Sequence, residues 1–189
     1  MVRILIRKHY LPLKQAQVTD NFWQILGSEV SYDELANKLG ISKNTVQKYL
    51  DLLSKVFILF RLGGYAKNLR KEVAKAGKWY FYDNGIRNAV IGKFQSLSIR
   101  DDVSALWENY FISERVKQNA NLGNANSLYF WKTYDRQEID LVEENGENLA
   151  AFELKWTEPN AKLPVAFAKA YPNAQFHTVN KENYLDFLL

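Results

Sequence analysis

The chain has 189 residues, enough for one large or two small domains, and its 47% hydrophobic and 14% aromatic residues can supply packed cores. It contains no cysteine, which excludes disulfides, thiolate metal sites and a cysteine nucleophile, and which fits a reducing cytoplasm. No apolar run reaches the length of a membrane span, and the basic start is too interrupted for a signal peptide, so we expect no membrane partner.

The net charge of +4 conceals a difference between the two halves of the chain. Residues 1–95 contain 16 Lys and Arg against 7 Asp and Glu, a net of +9, whereas residues 96–189 contain 9 against 14, a net of −5. This division predicts two units with different partners, and DNA is the expected partner of the basic half. A partner protein is the alternative, and the oligomeric state is open.

The chain begins with an unassigned lead-in over residues 1–20, followed by a predicted short helix over residues 22–26. Ser31 and Glu34 then have the spacing of a capping box, which predicts the start of a helix. That helix is expected to end in a tight turn at Gly40.

A second helix is predicted over residues 43–54, with Ser42 as its cap. The two predicted helices are joined by a short turn, and the outer side of the first turns of the second helix is polar and basic. This combination predicts a helix-turn-helix that contacts DNA. The alternatives are an ordinary helical hairpin with a solvated face and a protein-contact module. The predicted DNA-contacting residues of this helix are Lys43, Asn44, Thr45, Gln47 and Lys48.

Two strands are predicted next, over residues 56–62 and 78–82, with a turn at Gly63-Gly64. The segment between them is strongly basic. Two strands joined by a basic loop are the pattern of the wing of a winged helix. The alternative is a solvated loop. The predicted DNA-contacting residues of the wing are Arg70 and Lys71.

The second half alternates helices and strands. A long helix is predicted from residue 101 to residue 119, with acidic residues at its positive end. The other predicted elements are a short helix over residues 85–91, a connector over 92–99, strands over 127–132 and 175–179, and helices over 164–170 and 181–189.

A β-hairpin is predicted between these elements, because two alternating runs flank a turn-rich centre. The expected turn is a two-residue type I′ loop at Asn145-Gly146. It would place Asp140 opposite Ala151, and Glu138 opposite Glu153. Alternation then predicts one polar and one apolar face. The polar face holds Glu138, Asp140, Glu153 and Lys155, and the apolar face holds Ile139, Leu141, Phe152 and Leu154.

Carboxylates that face each other in a sheet are unfavourable unless something positive lies between them. A divalent cation would suit this position, because hard ions such as Mg²⁺ take carboxylate oxygens and keep water positions open for a phosphate. The alternative is a solvated sheet face with an ordinary Glu–Lys pair.

An acidic residue, a hairpin turn and then Glu-x-Lys resemble the active-site signature of the PD-(D/E)xK nuclease superfamily. The resemblance implies that Asp140 and Glu153 bind the metal and that Lys155 orients or activates the attacking water. Glu108, on the long helix, and Glu138 are implied as additional ligands, although Glu108 also suits a surface position. The implied cofactor is Mg²⁺ or Mn²⁺, if the site is active.

A wider set of motifs runs in one order along residues 22–156. They are Ser31-Tyr32-x-Glu34-Leu35-Ala36, Ile41-Ser42-x-Asn44-Thr45-Val46, Tyr49-Leu50-x-Leu52-Leu53, Asn68-x-Arg70-Lys71-Glu72-Val73, Lys78-x-Tyr80-Phe81-x-Asp83-x-Gly85-Ile86, and the hairpin motifs. This order resembles the C-terminal region of a large bacterial and archaeal family of P-loop, AAA-like ATPases. The family's ATPase domain lies upstream, and no G-x-x-x-x-G-K-[ST] occurs here. We therefore expect a truncated relative, a gene fragment or an expressed C-terminal piece, with no nucleotide-binding site and no ATP hydrolysis.

Together these observations predict an α+β or α/β protein with three parts. The lead-in covers residues 1–20, a winged helix-turn-helix covers 21–95, and a restriction-endonuclease-like α/β domain with a small mixed sheet covers 96–189. The predicted function is a DNA-binding winged helix joined to a nuclease-like domain that is a candidate Mg²⁺-dependent enzyme. The alternative is a non-enzymatic DNA- or protein-binding module with an inactive nuclease-like fold.

Overall fold

The structure is a computed structural model that describes residues 31–67, 77–124 and 126–189. The predicted lead-in and the predicted helix over residues 22–26 lie outside the described residues. Within these ranges the fold is mixed α+β, with six α-helices and a six-stranded mixed sheet. None of the described helices is long and apolar enough to cross a bilayer.

The chain divides into two compact units. The described parts of residues 1–61 and 77–101 form the first unit, and those of residues 62–76 and 102–189 form the second.

The first helix of the first unit, α1 (Tyr32–Leu39), has the limits that its capping pattern predicts. The Ser31 Oγ accepts a hydrogen bond from the Glu34 N–H at 3.1 Å, which satisfies one of the free donors of the first turn. Gly40 closes the helix with φ +64°, a conformation that side chains with a Cβ disfavour.

The second helix, α2 (Lys43–Lys55), begins in the same way, because the Ser42 Oγ accepts from the Thr45 N–H at 3.1 Å. Both helices bury one apolar face, as their spacing predicts. The buried side chains are Leu35 and Ala36 of α1 and Val46 and Leu50 of α2.

The predicted strand over residues 56–62 starts too early. Phe57 has φ +56°, and its N–H donates to the Ser54 carbonyl at 3.0 Å. The Ile58 N–H donates to the Leu53 carbonyl, also at 3.0 Å. These two bonds form a Schellman motif that ends α2, with Phe57 in the position that glycine usually occupies. The apolar run therefore begins as a helix cap.

The strand β1 (Leu59–Gly64) follows this cap, and after it come β2 (Gly77–Phe81) and α3 (Asn84–Ile91). The prediction of a turn at Gly63-Gly64 was wrong. Both glycines lie within β1 and pair in parallel with Tyr129 and Phe130 of the next strand. Local alternation could not reveal this extension, because a strand from later in the chain supplies the pairing. The connector before residue 102 contains a short 3₁₀-helix, Leu97–Ile99.

The second unit contains a long helix, α4 (Val103–Leu122), and four further strands. These are β3 (Ser127–Lys132), β4 (Glu138–Asn145), β5 (Asn148–Leu154) and β6 (Gln175–Val179). Hydrogen-bonded neighbours in the sheet follow the order β2-β1-β3-β4-β5-β6. The β3–β4 and β4–β5 pairs are antiparallel, whereas β5–β6 is parallel. The expected position of the last strand, alongside the strand that carries Glu153, is confirmed.

Helices cover both faces of this part of the sheet. Phe167 of α5 (Val165–Ala170) packs in a core cluster with Ala151 of β5. The next residue of β5, Phe152, points to the other face and contacts Phe111 of α4 and Phe187 near the C-terminus.

The last helix, α6 (Leu185–Leu188), is shorter than the predicted helix over residues 181–189. The Asn180 Oδ1 accepts from the Glu182 N–H at 2.8 Å, and the Asn180 N–H donates to the Asn183 Oδ1 at 2.8 Å. Asparagine side chains that bond the nearby backbone offer it an alternative to helix. The first part of the predicted helix is therefore a turn.

Candidate functional site

The hairpin that carries the predicted site has a different register from the predicted one. Asn145 pairs with Asn148, so the two-residue loop is Gly146-Glu147, and Gly146 has φ +60°. A positive φ at the first loop position alone is the pattern of a type II′ turn, which favours glycine there. The predicted loop at Asn145-Gly146 was therefore wrong by one residue, and so was its type.

The correction changes which acidic residues are neighbours. Leu141 pairs with Phe152, so Asp140 and Glu153 are the next residues along the two strands. The expected pairs of Asp140 with Ala151 and of Glu138 with Glu153 were wrong, since Ala151 pairs with Val142.

A β-bulge interrupts β4 where Asp140 lies. Tyr129 of β3 pairs with Val142, but Trp131, two residues further on, pairs with Ile139. Between these pairs, Asp140 and Leu141 of β4 thus oppose the single residue Phe130 of β3, and the extra residue shifts the alternation. Ile139 consequently joins Val142 in one core cluster, and the prediction that Ile139 shares a face with Leu141 was wrong.

Asp140, Glu153 and Lys155 come together at the end of β4 and β5. The Asp140 Oδ2 accepts a hydrogen bond from the Leu154 N–H at 2.8 Å. The Lys155 Nζ lies 2.8 Å from the Glu153 Oε1, with 37% of the Lys155 side chain and 16% of the Glu153 side chain exposed. The Lys155 N–H donates to the Val179 carbonyl at 2.9 Å, which holds this residue against β6.

The charge state of Lys155 follows from these contacts. The hydrogen bond to Glu153 raises the pKa of the Lys155 ammonium above its usual value of 10.5, and the charges of Glu153, Asp140 and Glu158 raise it further. Partial burial acts in the opposite direction and is the weaker influence. Lys155 is therefore a cation and a hydrogen-bond donor at neutral pH.

The two additional acidic residues lie in different surroundings. The Glu138 Oε2 is 3.7 Å from the Lys132 Nζ on the paired strand β3. Glu108 is half-buried on α4, next to Trp107, whose ring lies 5.4 Å from that of Trp156. This contact brings the first half of α4 to the end of β5 that carries Lys155.

The acidic residues can be compared with the requirements of a metal ion. In the described ranges no group of three or more His, Cys, Asp or Glu side chains is placed to hold one. Mg²⁺ is usually bound in proteins through one or two carboxylates, with water and substrate phosphate completing its shell. Asp140 and Glu153 supply two carboxylates on adjoining strands, so their chemistry fits Mg²⁺ or Mn²⁺.

The predicted DNA-contacting residues of α2 lie mostly on its exposed side. The Lys43 Nζ forms an exposed ion pair with the Asp33 Oδ2 at 2.7 Å. The Thr45 Oγ1 lies 2.8 Å from the Ser42 Oγ, so this side chain takes part in the helix cap. The remaining three, Asn44, Gln47 and Lys48, are exposed. The wing residues Arg70 and Lys71 are outside the described residues.

Sequence patterns missed a polar cluster around Glu143, a residue of β4 with a 5% exposed side chain. The Arg115 guanidinium donates to the Glu143 Oε2 from Nε at 2.9 Å and from Nη2 at 2.7 Å. Asn119 and Asn126 donate to the other carboxylate oxygen. Glu143 stood in a turn-rich acidic run, and an inward direction was not apparent from its neighbours.

Two family models match the chain in succession. Residues 8–97 match a domain of unknown function (DUF8612), and residues 103–185 match a second domain of unknown function (DUF4143). The second domain is commonly a C-terminal region of AAA-like ATPases.

Curated relatives are also uncharacterised. The chain is 29% identical over 133 residues to the uncharacterized proteins Mb2031c of Mycobacterium bovis and Rv2008c of Mycobacterium tuberculosis. These alignments cover 69% of this chain and 29% of each relative, so the chain spans less than a third of their length. An uncharacterized protein of Haemophilus influenzae is 30% identical over 77 residues, 40% of this chain and 19% of the relative. No solved structure gives a significant match.

Proposed function

We propose that the second unit is a nuclease-like domain that cleaves DNA phosphodiester bonds at Asp140, Glu153 and Lys155. In the same proposal, residues 21–95 form a winged helix-turn-helix that binds DNA. The observation that carries it is the 2.8 Å contact of the Lys155 ammonium with Glu153, beside Asp140. A fixed ammonium at a half-exposed sheet end can stabilise the negative charge that develops on a phosphoryl group, and carboxylates beside it can hold a metal ion.

The order of the elements supports this proposal. Helix α4 precedes three antiparallel strands, β3 to β5, and α5 then leads to β6, which is parallel to β5. This is the order expected from the resemblance to PD-(D/E)xK nucleases. Function has to be argued from the site, because one fold supports many activities.

Each side chain of the site has a role that its contacts suit. Lys155, held as an ammonium, would donate a hydrogen bond to the attacking water or to a phosphate oxygen, and it is not a general base. The Leu154 N–H orients Asp140, and Glu153 fixes the position of the Lys155 Nζ. Mg²⁺ or Mn²⁺, when bound by the two carboxylates, would supply Lewis-acid stabilisation of the phosphoryl oxygens.

The proposal places the chain as the non-ATPase part of a P-loop ATPase relative in the cytoplasm. The association of the second matched domain with AAA-like ATPases supports this placement. The sequence has no phosphate-binding loop motif, so ATP hydrolysis is not part of the proposed function.

Supercoiled plasmid incubated with the protein and Mn²⁺ tests the nuclease proposal. We expect nicking that Asp140→Asn or Lys155→Met lowers by about a hundredfold, the usual effect of losing one charge-stabilising group. Lys169→Met removes an exposed lysine of α5 and serves as the matched control, which should keep the parent rate. Cleavage no greater than that of an Asp140→Ala, Lys155→Ala double variant would refute the proposal.

A second candidate function is a non-enzymatic DNA-binding module. It is favoured by the exposed polar face at the start of α2, where Asn44, Gln47 and Lys48 point away from the buried residues. This candidate requires no chemistry at Asp140.

Duplex DNA binding at several salt concentrations tests the DNA-binding role that both candidates share, and the plasmid assay separates them. Replacing Lys43, Lys48, Arg70 and Lys71 with Ala should weaken binding and reduce its salt dependence, because fewer phosphates are neutralised. Asp140→Ala should leave the affinity unchanged. Equal affinity of all variants would exclude DNA binding through the winged helix.

A further inference from the structure

The loop that leads into the candidate site has a defined conformation. It joins β3 to β4 across residues 133–137, and we call it the 133–137 loop. The Arg136 N–H donates to the Thr133 carbonyl at 3.1 Å, and the Thr133 N–H donates to the Gln137 carbonyl at 2.9 Å. These bonds, with Arg136 at φ +62°, describe a three-residue hairpin loop in which a β-turn is followed by a left-handed residue.

Arg136 is an unusual choice for its position. Glycine or asparagine is favoured where φ is positive, because a Cβ atom crowds the backbone there. Backbone strain of this kind persists only where the surrounding structure enforces it, and it supports a hypothesis of function. The needs of the turn therefore do not account for the arginine, and its side chain is the remaining feature to consider.

Both ends of the loop are fixed. The Thr133 side chain is buried, and its Oγ1 accepts from the Gln137 N–H at 3.1 Å. The Gln137 Oε1 accepts from the Ala166 N–H of α5 at 3.0 Å. These contacts fix the base of the loop against α5, so its tip projects from an anchored position.

The tip itself is exposed and carries an aromatic and a cationic side chain, which are types that bind nucleic acid in other proteins. Tyr134 has 72% of its surface exposed, and Asp135 and Arg136 are exposed too. Within the described ranges, no hydrogen bond or ion pair involves the Arg136 guanidinium. The tip ends four residues before Asp140, which is about 13 Å along an extended strand.

We propose that the 133–137 loop is a subsite for a single-stranded segment of nucleic acid beside the candidate active site. Tyr134 stacks on an unpaired base and Arg136 binds the phosphate next to it. Aromatic stacking with a nearby cation is the chemistry by which proteins hold unpaired nucleotides. This inference rests on the proposed function, because it assumes that the nearby carboxylates act on a phosphodiester. Asp135 opposes phosphate binding, so Asp135→Asn should tighten binding about twofold.

Photochemical cross-linking tests the contact with Tyr134. A short single-stranded oligonucleotide containing 5-iodouracil, mixed with the full chain in EDTA, should cross-link to the peptide that contains Tyr134. Tyr134→Ala should remove that cross-link. Phe94→Ala is the matched control, because Phe94 is also 72% exposed but lies in the first unit, and the Tyr134 cross-link should survive this change.

Binding of a labelled single strand in EDTA, followed by fluorescence anisotropy, tests both side chains. Tyr134→Ala should weaken binding about fivefold to a hundredfold, the range for losing one stacked base, and Tyr134→Phe should retain most of the affinity. Arg136→Gly should weaken binding about fivefold, while its thermal midpoint equals or exceeds that of the parent because the strain is relieved. A blunt duplex should bind all variants alike.

The outcomes separate this subsite from the nuclease proposal. Unchanged cross-linking and affinity in the Tyr134 and Arg136 variants would overturn the subsite, whatever the plasmid result. A parent chain that binds no single strand would also overturn it. Loop-dependent binding without any cleavage would support the subsite while removing the nuclease function.

Discussion

Asp140 and Glu143 are three residues apart on β4, and both are near a basic side chain, yet their surroundings differ. Glu143 is buried, and Arg115, Asn119 and Asn126 supply both its oxygens with donors. Asp140 and its neighbours Glu153 and Lys155 are only half-buried. A buried carboxylate with donors on both oxygens fixes a structure. A half-exposed group of charges leaves room for a substrate. Residue type alone does not distinguish the two clusters, but burial and the number of hydrogen-bond donors on the carboxylate oxygens do.

The largest expected effect is on the buried cluster. Glu143→Gln should lower the free energy of unfolding by about 3 kcal/mol, because it leaves the Arg115 guanidinium without its buried partner. Urea unfolding followed by far-UV circular dichroism measures this, with exposed Glu147→Gln as the control, expected within about 0.5 kcal/mol of the parent.

Lys155→Met, a change in the candidate site, should destabilise the fold much less than Glu143→Gln does. More than a third of the Lys155 side chain is exposed, so this change should lower the free energy of unfolding by less than about 1 kcal/mol. The comparison fails if Lys155→Met is as destabilising as Glu143→Gln, since Lys155 would then serve the fold.

A smaller effect is expected at the hairpin turn that sets the register of both clusters. Gly146→Ala should cost about 1 kcal/mol, because φ +60° crowds a Cβ even though no other atom lies within 4 Å of it. Gly146→Asn should cost less, since asparagine tolerates this conformation. Thermal unfolding of both variants checks the order, and an unchanged Gly146→Ala variant would contradict the turn described here.

The smallest effect concerns pH. Burial lowers the pKa of His177 below its usual 6.5, and the ring stacks on Phe152 and contacts Phe187. As the pH falls, the unfolded chain therefore binds the proton before the folded chain does. The stability that neutral, buried His177 contributes is fully present above pH 6.5 and is lost as the pH falls towards the folded pKa. His177→Phe should remove that part of the pH dependence, as thermal midpoints between pH 7.5 and 5 would reveal; an unaltered profile would exclude His177 as its source.

Capping residues and alternating patterns predicted those helices and strands whose limits depend on residues close to them in the sequence. Caps at Ser31 and Ser42 defined α1 and α2, and alternating residues gave β3 and β6 their observed limits. The prediction failed at Phe57, because an apolar residue in a helix cap looks like the start of a strand. It failed at the β4–β5 loop because two turns around Gly146 preserve the same alternation.

At the candidate site, the nearness of Asp140, Glu153 and Lys155 was predicted, although the register of the strands that carry them was not. Asp140, Glu153 and Lys155 could be proposed because a short motif and a hairpin placed them on neighbouring strands. The role of Glu143 could not, since its partner Arg115 is 28 positions earlier in the chain and only the packing of α4 on the sheet unites them.

The bulge in β4 makes the strand behave as two segments that are out of phase. Residues two positions apart share a face within each segment, but residues that span the bulge, such as Ile139 and Leu141, do not. Pairing the same sequence without the bulge would turn Ile139 to the face of Leu141, away from Val142 and its core cluster. The single extra residue is thus what keeps Ile139 in the same core cluster as Val142.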